Sequence, residues 1–310
     1  MSHAWTLTLF RLRLAMRNRA FFVFGIIIPL IFLFLFCAVF AKNGGPQVAY
    51  VLASVLAMSV MGSFWGLSQQ LVIFREQGIL RRFRLAPIGP GTMLVSSIVS
   101  NLILMIPGIA AEIAVARWVL HMSIWGNLLS VFVLSGLGAV TFATLGLVVA
   151  SVANSMMETQ VINQLLWLSF ILLSGVAIPL PSLPTWLQRV ALYLPATYLV
   201  TGLERALLRA AELTQLGAEV ASLAGSSLLA FFVCQQIFRW EPEEKMPRQA
   251  KLWVAAALVP FLLLGAWETS QGGRLTEARS ILRSTFAERP AQQNPQPCTP
   301  CSTPAQPDKP

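Results

Sequence analysis

The chain has 310 residues, of which 56% are hydrophobic and only 11% are charged. A soluble domain carries about 25% charged residues, so this composition excludes an ordinary soluble protein and indicates an integral membrane protein. The net charge of +9 would suggest a nucleic-acid partner in a soluble chain. Here the cations lie beside apolar runs, which is typical of membrane orientation signals, so no nucleic-acid partner is expected.

The first twenty residues alternate apolar and basic side chains. Trp5, Leu9, Leu12 and Met16 follow helical spacing with arginines between them, which predicts an amphipathic helix lying on the inner leaflet. The apolar run 21–40 follows. A signal peptide is the competing interpretation, because residues 38–41 resemble a cleavage site, but the run exceeds the usual apolar region of about 7–15 residues. We therefore predict an uncleaved span.

Long apolar runs divide the chain into membrane spans, each of which needs about 20 mostly apolar residues. The predicted spans of the core, residues 1–240, are approximately 21–40, 48–74, 92–118, 128–150, 159–178 and 217–238. Residues 241–270 form a linker with a candidate seventh span, 252–267, which is shorter and contains Pro260. Residues 271–310 form a tail rich in Pro and Gln near its end, predicted to be disordered apart from a helix at 275–286.

Arginines and lysines predict the orientation of these spans. With a cytoplasmic N-terminus, the inner segments 1–20, 75–91, 151–157 and 239–251 carry twelve basic residues, against five in the outer segments that precede the tail. This bias favours a cytoplasmic N-terminus. If the seventh run spans, the tail lies outside, although its own arginines mildly oppose that placement.

The predicted outer segment 179–216 is long but apolar. Its prolines indicate short, half-buried helices, with Pro184 near the start of one and Pro195 near its end. We expect these helices to dip into the outer leaflet or to cover the mouth of a pathway.

Several kinds of chemistry find no support in the sequence. None of the four lysines follows a glycine, so the chain lacks the Gly-Lys of a phosphate-binding loop. We expect neither catalytic residues nor a metal site, because His3 and His121 lie apart from acids and cysteines. Cys298 and Cys301 form a C-x-x-C in the proline-rich tail. Two interpretations of this pair stay open: a local disulfide, or no functional role.

Glu112 and Glu158 are two of the glutamates that lie within or beside the apolar runs. Glu112, near the outer end of the third span, is a candidate pathway residue, because intramembrane ionisable groups are expensive and are often functional. A glutamate that simply reaches interfacial water is the alternative. Glu158 fits a capping box with Ser155, which favours a structural role at a helix start.

A short charged stretch separates the second and third spans. Glu76 near its start and Arg81, Arg82 and Arg84 near its end complement a helix dipole, and the prolines and glycines of 87–91 end the helix. Its apolar side chains are Ile79, Leu80 and Phe83. The stretch from Arg75 to Arg84 therefore has two interpretations. It is either an anchor that fixes the orientation of the spans in the membrane or an amphipathic docking helix for a cytoplasmic partner.

The order of these motifs resembles the membrane subunit of an ABC-2 type exporter, the permease of a bacterial ATP-binding-cassette system. The resemblance covers roughly residues 5–240. It rests on the basic N-terminus (11–19), on FREQGILRRFRLAPI (74–88), on ANSMMETQ (153–160), on LLSGVAIP (172–179) and on LPATYLVTGLE (194–204).

The resemblance implies an all-α membrane fold. Its six-span core would carry an N-terminal interfacial helix, a cytoplasmic coupling helix and external re-entrant helices that include Pro195, Tyr198 and Glu204. It implies that residues 75–84 seat on a separate ABC ATPase subunit, which binds the ATP and Mg²⁺, and that two permease subunits pair as a homo- or heterodimer in the bacterial inner membrane. The candidate seventh span and the tail depart from this pattern.

Three functions follow as hypotheses. The first is export of a hydrophobic or amphipathic compound, drug-like or lipid-like, because the spans lack internal charge ladders. The second is a proton-coupled secondary transporter that uses Glu112, although no inverted repeat of broken helices is evident. The third is a membrane assembly or sensor protein that transports nothing.

Overall fold

A computed structural model of the protein describes residues 2–17, 23–41, 45–80, 89–238, 265–266, 269 and 273–286. All regular secondary structure within these residues is helical, which confirms the predicted all-α class. The helices are α1 (Ser2–Arg17), a π-helical turn (Val23–Ile27) that continues as α2 (Ile28–Phe40), α3 (Pro46–Glu76), α4 (Pro90–Trp118), α5 (Leu128–Val152), α6 (Met156–Leu173), a 3-10 turn (Leu180–Ser182), α7 (Thr185–Ala191), α8 (Pro195–Leu208), α9 (Gly217–Ile237) and α10 (Gly273–Phe286).

Five of the described helices, α3, α4, α5, α6 and α9, are long and apolar enough to cross a membrane, and Gly25–Phe40 is a shorter apolar helix. Each of these six helices overlaps one of the apolar runs that the sequence analysis predicts as core spans. The predicted span 159–178 is shifted, because α6 begins at Met156 and ends at Leu173. Ser155 caps its start, and Gly175 follows its end with a φ of 101°. The chain is therefore a multi-pass membrane protein.

Helix α3 forms the centre of the bundle and packs most extensively against α5. In its most apolar window 83% of the residues are buried, compared with 17% for α6. The contact with α5 brings backbone against backbone: a Cβ atom at Gly146 would lie 2.2 Å from the carbonyl oxygen of Phe64. The ring of Phe170 on α6 completes the packing with edge-to-face contacts to Phe64 and Phe142.

The two ends of α3 define the two ends of the bundle. The Tyr50 end comprises the start of α3 with α7, α8 and α10. The Arg75 end comprises the end of α3 with the start of α4 and the ends of α5 and α9. Ile237 packs in the apolar cluster at the Arg75 end, whereas the ring of Phe286 lies 5.5 Å from that of Tyr50. The chain therefore passes from the Arg75 end of the bundle to the Tyr50 end between Phe238 and Gly273. The candidate span 252–267 falls in this interval and lies outside the described residues except for 265–266.

Helix α10 confirms the helix predicted at 275–286. It packs against the 3-10 turn and α3, and polar side chains join it to α8 and to the start of α9. Arg274 donates to Oε1 of Glu219 at 3.2 Å and to the hydroxyl of Thr201 at 3.1 Å. One turn further on, Glu277 accepts from Arg209 at 3.2 Å and pairs with Arg205 at 3.0 Å. Three helices thus share one ionic cluster at the Tyr50 end.

Candidate functional site

A cavity of about 890 Å³ lies between α1, the start of the α2 region, α3 and α4, and Trp167 of α6 contributes one part of its wall. Ligand cavities in proteins typically enclose about 300–1,000 Å³ and combine apolar walls with a few polar groups. The apolar wall here includes Phe32, Met58, Leu104 and Met105. The cavity is the candidate functional site, and most of its lining residues were not singled out in the sequence analysis.

One face of α3 supplies the polar wall of the cavity. Ser59 is followed by Gly62, Ser63, Gly66 and Gln70, three, four, seven and eleven residues further on, which places the five residues on one side of the helix. A Cβ atom at Gly62 or Gly66 would meet nothing within 4 Å. The two glycines therefore widen the cavity rather than permit close helix contact. This periodic stripe of small and polar residues is the signal that could have revealed the site.

Two hydrogen bonds join this stripe to α4. The amide of Asn101 donates to the hydroxyl of Ser63 at 2.8 Å, and the hydroxyl of Ser59 donates to Oε1 of Glu112 at 2.6 Å. Within a bilayer a polar side chain without a partner is strongly unfavourable, so these bonds offset part of the desolvation of the four groups.

A cation lies at the opposite end of the cavity from Glu112. Arg11 of α1 donates to the hydroxyl of Ser97 at 2.6 Å and to the side-chain oxygen of Gln70 at 3.3 Å. Its guanidinium carbon lies 5.6 Å from the centroid of the Phe74 ring. Burial lowers the pKa of Arg11 to about 10, which leaves the side chain charged at neutral pH.

The cavity therefore has the carboxyl group of Glu112 at one end and the guanidinium of Arg11 at the other, and Arg17 of α1 also lines it. Ser97 and Glu112 lie fifteen residues apart on α4, a rise of about 22 Å at 1.5 Å per residue. Between them the polar side chains of the wall are Ser63, Ser100 and Asn101, and the other side chains are mostly apolar. Such a cavity can hold an elongated molecule with an apolar body and a polar end.

Glu112 keeps one oxygen without a partner. The residue is 1% exposed, and among the described residues its Oε2 atom has no hydrogen-bond partner. Arg117, five residues further along α4, is engaged elsewhere: it donates to the carbonyl of Met122 and lies 4.7 Å from the centroid of Trp125. The structure thus places the predicted pathway residue in the cavity wall.

The predicted coupling segment begins inside the bundle. Arg75 belongs to the last turn of α3 and is 2% exposed. It donates to the carbonyls of Ala150 at 3.0 Å and Ala153 at 2.5 Å, at the C-terminal end of α5. Last-turn carbonyls have no partner within their own helix and favour a cation. Arg75 therefore joins α3 to α5 and does not lie on an exposed docking surface.

The rest of that segment divides into described and undescribed parts. Glu76 accepts from the backbone amide of Met156 at 2.7 Å, at the start of α6. Gly78, at a φ of 67°, ends α3, and Ile79 and Leu80 follow, of which Leu80 is fully buried. The remaining predicted coupling residues lie outside the described residues: Arg81, Arg82, Phe83 and Arg84.

The three residues predicted in the external region all lie in α8 and are buried. Pro195 occupies its first turn, the hydroxyl of Tyr198 donates to the carbonyl of Leu192 at 3.0 Å, and Glu204 is hydrogen-bonded to Tyr50 of α3. Burial raises the pKa of Glu204 to about 8, although the bond to Tyr50 opposes the shift.

The structure confirms the predicted cap at α6. The backbone amide of Glu158 donates to the hydroxyl of Ser155 at 3.2 Å, and Glu158 accepts from the backbone amide of Asn154 at 2.8 Å. Among the described residues no cluster of His, Cys, Asp or Glu is suited to hold a metal ion. Cys298 and Cys301 lie outside those residues.

A helical bundle with an amphipathic cavity between its helices is typical of a polytopic membrane transport component. Residues 2–208 match the ABC-2 type transporter family. Since this match covers about two thirds of the chain, the protein belongs to that family, and the predicted resemblance is confirmed. Helices α9 and α10 lie beyond the matched residues. No curated protein has a sequence that matches the chain.

Proposed function

We propose that the chain is the permease subunit of an exporter that moves a hydrophobic or amphipathic compound across the bacterial cytoplasmic membrane. The observation that carries this proposal is the cavity, because its apolar walls and sparse polar groups suit a drug-like or lipid-like molecule better than a small ion. The Arg75 end faces the cytoplasm in this proposal, since Arg11 of α1 and Arg75 lie there.

A separate ABC ATPase supplies the energy. Membership of the ABC-2 family implies such a partner, and it binds ATP and Mg²⁺ in place of this chain, whose sequence has no Gly-Lys. We place the contact on Arg81 and Arg82. Two permease subunits pair around the pathway, and closure of the ATPases biases them between inward- and outward-facing states, which requires different contact energies in the two states.

Reversing both arginines, Arg81→Glu with Arg82→Glu, tests the ATPase contact. We expect the variant to insert normally but to lose co-purification of the ATPase from the native host in mild detergent. Arg248→Glu with Lys251→Glu is the matched control, because it reverses two charges in another predicted cytoplasmic segment. Undiminished ATPase recovery with the Arg81 and Arg82 variant would contradict the proposal.

The position of Glu112 favours one alternative, a proton-coupled transporter, because a buried carboxylate in a transport cavity can carry a proton. The two functions differ in energy source. Transport that survives depletion of ATP and stops when the proton gradient is collapsed would favour the alternative, and the reverse result would favour the ABC exporter.

A further inference from the structure

The unpartnered oxygen of Glu112 gives the cavity a chemical preference. Its neighbour Oε1 accepts from Ser59 at 2.6 Å, whereas Oε2 accepts from no described group although the side chain is 1% exposed. A buried carboxyl oxygen that lacks a donor is destabilising, so such groups usually have a bound partner. Glu112 lines the cavity, so a ligand there can supply that donor once the carboxyl group turns its buried Oε2 atom toward the cavity.

We propose that the cavity binds an amphipathic organic ammonium ion, whose N–H group donates to Oε2 of Glu112 and whose apolar body lies along α3 and α4. This inference rests on the proposed function and names its substrate class. An ammonium both donates a hydrogen bond and compensates the carboxylate charge, which a neutral donor does only in part. Phe32 and Trp167, in the same cavity wall, offer aromatic faces that attract cations.

The other charged residues that line the cavity, Arg11 and Arg17, both belong to α1 and give that side of the cavity a positive charge. Arg117 binds the carbonyl of Met122 and the face of Trp125, so it does not neutralise Glu112. Arg11 holds the far end through Ser97 and Gln70, about 22 Å along α4 at 1.5 Å per residue. A second positive charge at that end of a ligand would be repelled. The preferred ligand is therefore a monocation with a long apolar body.

Binding to the purified permease, without any ATPase, tests the inference with three matched fluorescent probes. Dansylcadaverine carries an ammonium group, its N-acetyl derivative is neutral, and dansyl-6-aminohexanoate ends in a carboxylate. We expect the ammonium probe to bind about tenfold or more tightly than the neutral one, the range expected for a hydrogen bond to a charged group. The Glu112→Gln variant is expected to bind the two equally, and Glu112→Asp to keep part of the preference.

The matched control is Glu158→Gln, which alters an exposed capping carboxylate outside the cavity and is expected to retain the full preference. Binding of the neutral probe reports whether each variant is folded, and Ser59→Ala provides a second, milder test at the same site. Equal binding of ammonium and neutral probes by the unaltered protein would overturn the inference. So would tighter binding of the carboxylate probe, or a preference that persists in Glu112→Gln.

This experiment and the export proposal fail separately. ATP-dependent accumulation of a neutral amphipath in vesicles, together with no ammonium preference, would sustain the exporter and overturn the cation site. Selective ammonium binding by a protein with which no ATPase co-purifies would support the cation site and overturn the proposed energy source.

Discussion

The guanidinium carbon of Arg274 lies 4.4 Å from the centroid of the Tyr198 ring, although the two residues belong to helices far apart in the sequence. The same guanidinium pairs with Glu219 at 3.2 Å, and Arg274 as a whole is only 8% exposed. A helix that follows the family-matched residues thus reaches back to the external region predicted from Tyr198 and Glu204. The contact unites α8, α9 and α10.

Removing the cation from this cluster is expected to destabilise the Tyr50 end. Arg274→Met leaves Glu219 with Arg205 alone, and breaking one partner of a buried ion pair costs about 3 kcal/mol. We expect a fall in the thermal unfolding temperature of the detergent-solubilised protein. Arg283→Met, an exposed position on the same helix, is the control and should leave that temperature unchanged. An equal loss in both variants would contradict a specific role for Arg274.

Arg75 is expected to stabilise the junction of α3 and α5. Arg75→Met leaves the carbonyls of Ala150 and Ala153 without their donor, and we expect a loss of about 2–4 kcal/mol in the free energy of unfolding. Arg75→Lys should recover only part, because an ammonium lacks the fork of a guanidinium. Thermal unfolding with Arg13→Met as the exposed control measures the effect. An Arg75→Met variant with an unchanged free energy of unfolding would show that the two hydrogen bonds contribute little to stability.

The close approach of α5 to α3 predicts intolerance at Gly146. An alanine there would place its Cβ 2.2 Å from the backbone oxygen of Phe64, so the helices must separate. We expect Gly146→Ala to destabilise the protein by about 1–3 kcal/mol or more, as overpacking does. Gly136 on the same helix has nothing within 4 Å of its Cβ position, so Gly136→Ala should be neutral or slightly stabilising. Stability curves of the two variants that coincide would refute the close contact.

Glu204 predicts a fall in stability as the pH rises. Burial raises its pKa from 4.5 to about 8, so between these values the folded protein keeps a proton that the unfolded chain has released. The free energy of unfolding therefore declines across this window by about 1.4 kcal/mol per pH unit for one such group, and its contribution is constant above it. Tyr50 is hydrogen-bonded to Glu204, and Arg205, Arg274 and Glu277 line the small gap beside it.

Thermal unfolding between pH 5 and pH 9 tests that slope. Glu204→Gln should flatten the dependence, whereas Glu212→Gln, at an exposed position, should retain it. A slope that is unchanged in Glu204→Gln would assign the titration to another group.

The sequence predicted the spans because uninterrupted apolar runs have few alternatives to membrane helices, and the cap at Ser155 because its chemistry is local. It could not place Arg75, because an arginine beside an apolar run reads as an anchor until a partner helix end appears. The cavity was missed for a related reason. Ser59, Gly62 and Gln70 are unremarkable singly, and only the packing of α4 and α1 against them creates a site.

The two attachments between α3 and α5 have a mechanical consequence. Phe64 and Gly146 touch through backbone at mid-helix, and Arg75 ties the end of α3 to the end of α5, so the pair resists bending and sliding. Helix α3 extends over 31 residues, about 46 Å at 1.5 Å per residue. A displacement of α3 at its Arg75 end would therefore be transmitted along the helix to Tyr50 and to Glu204 at the other end. Because α3 itself would keep its shape, the movement of its Tyr50 end would then shift α8.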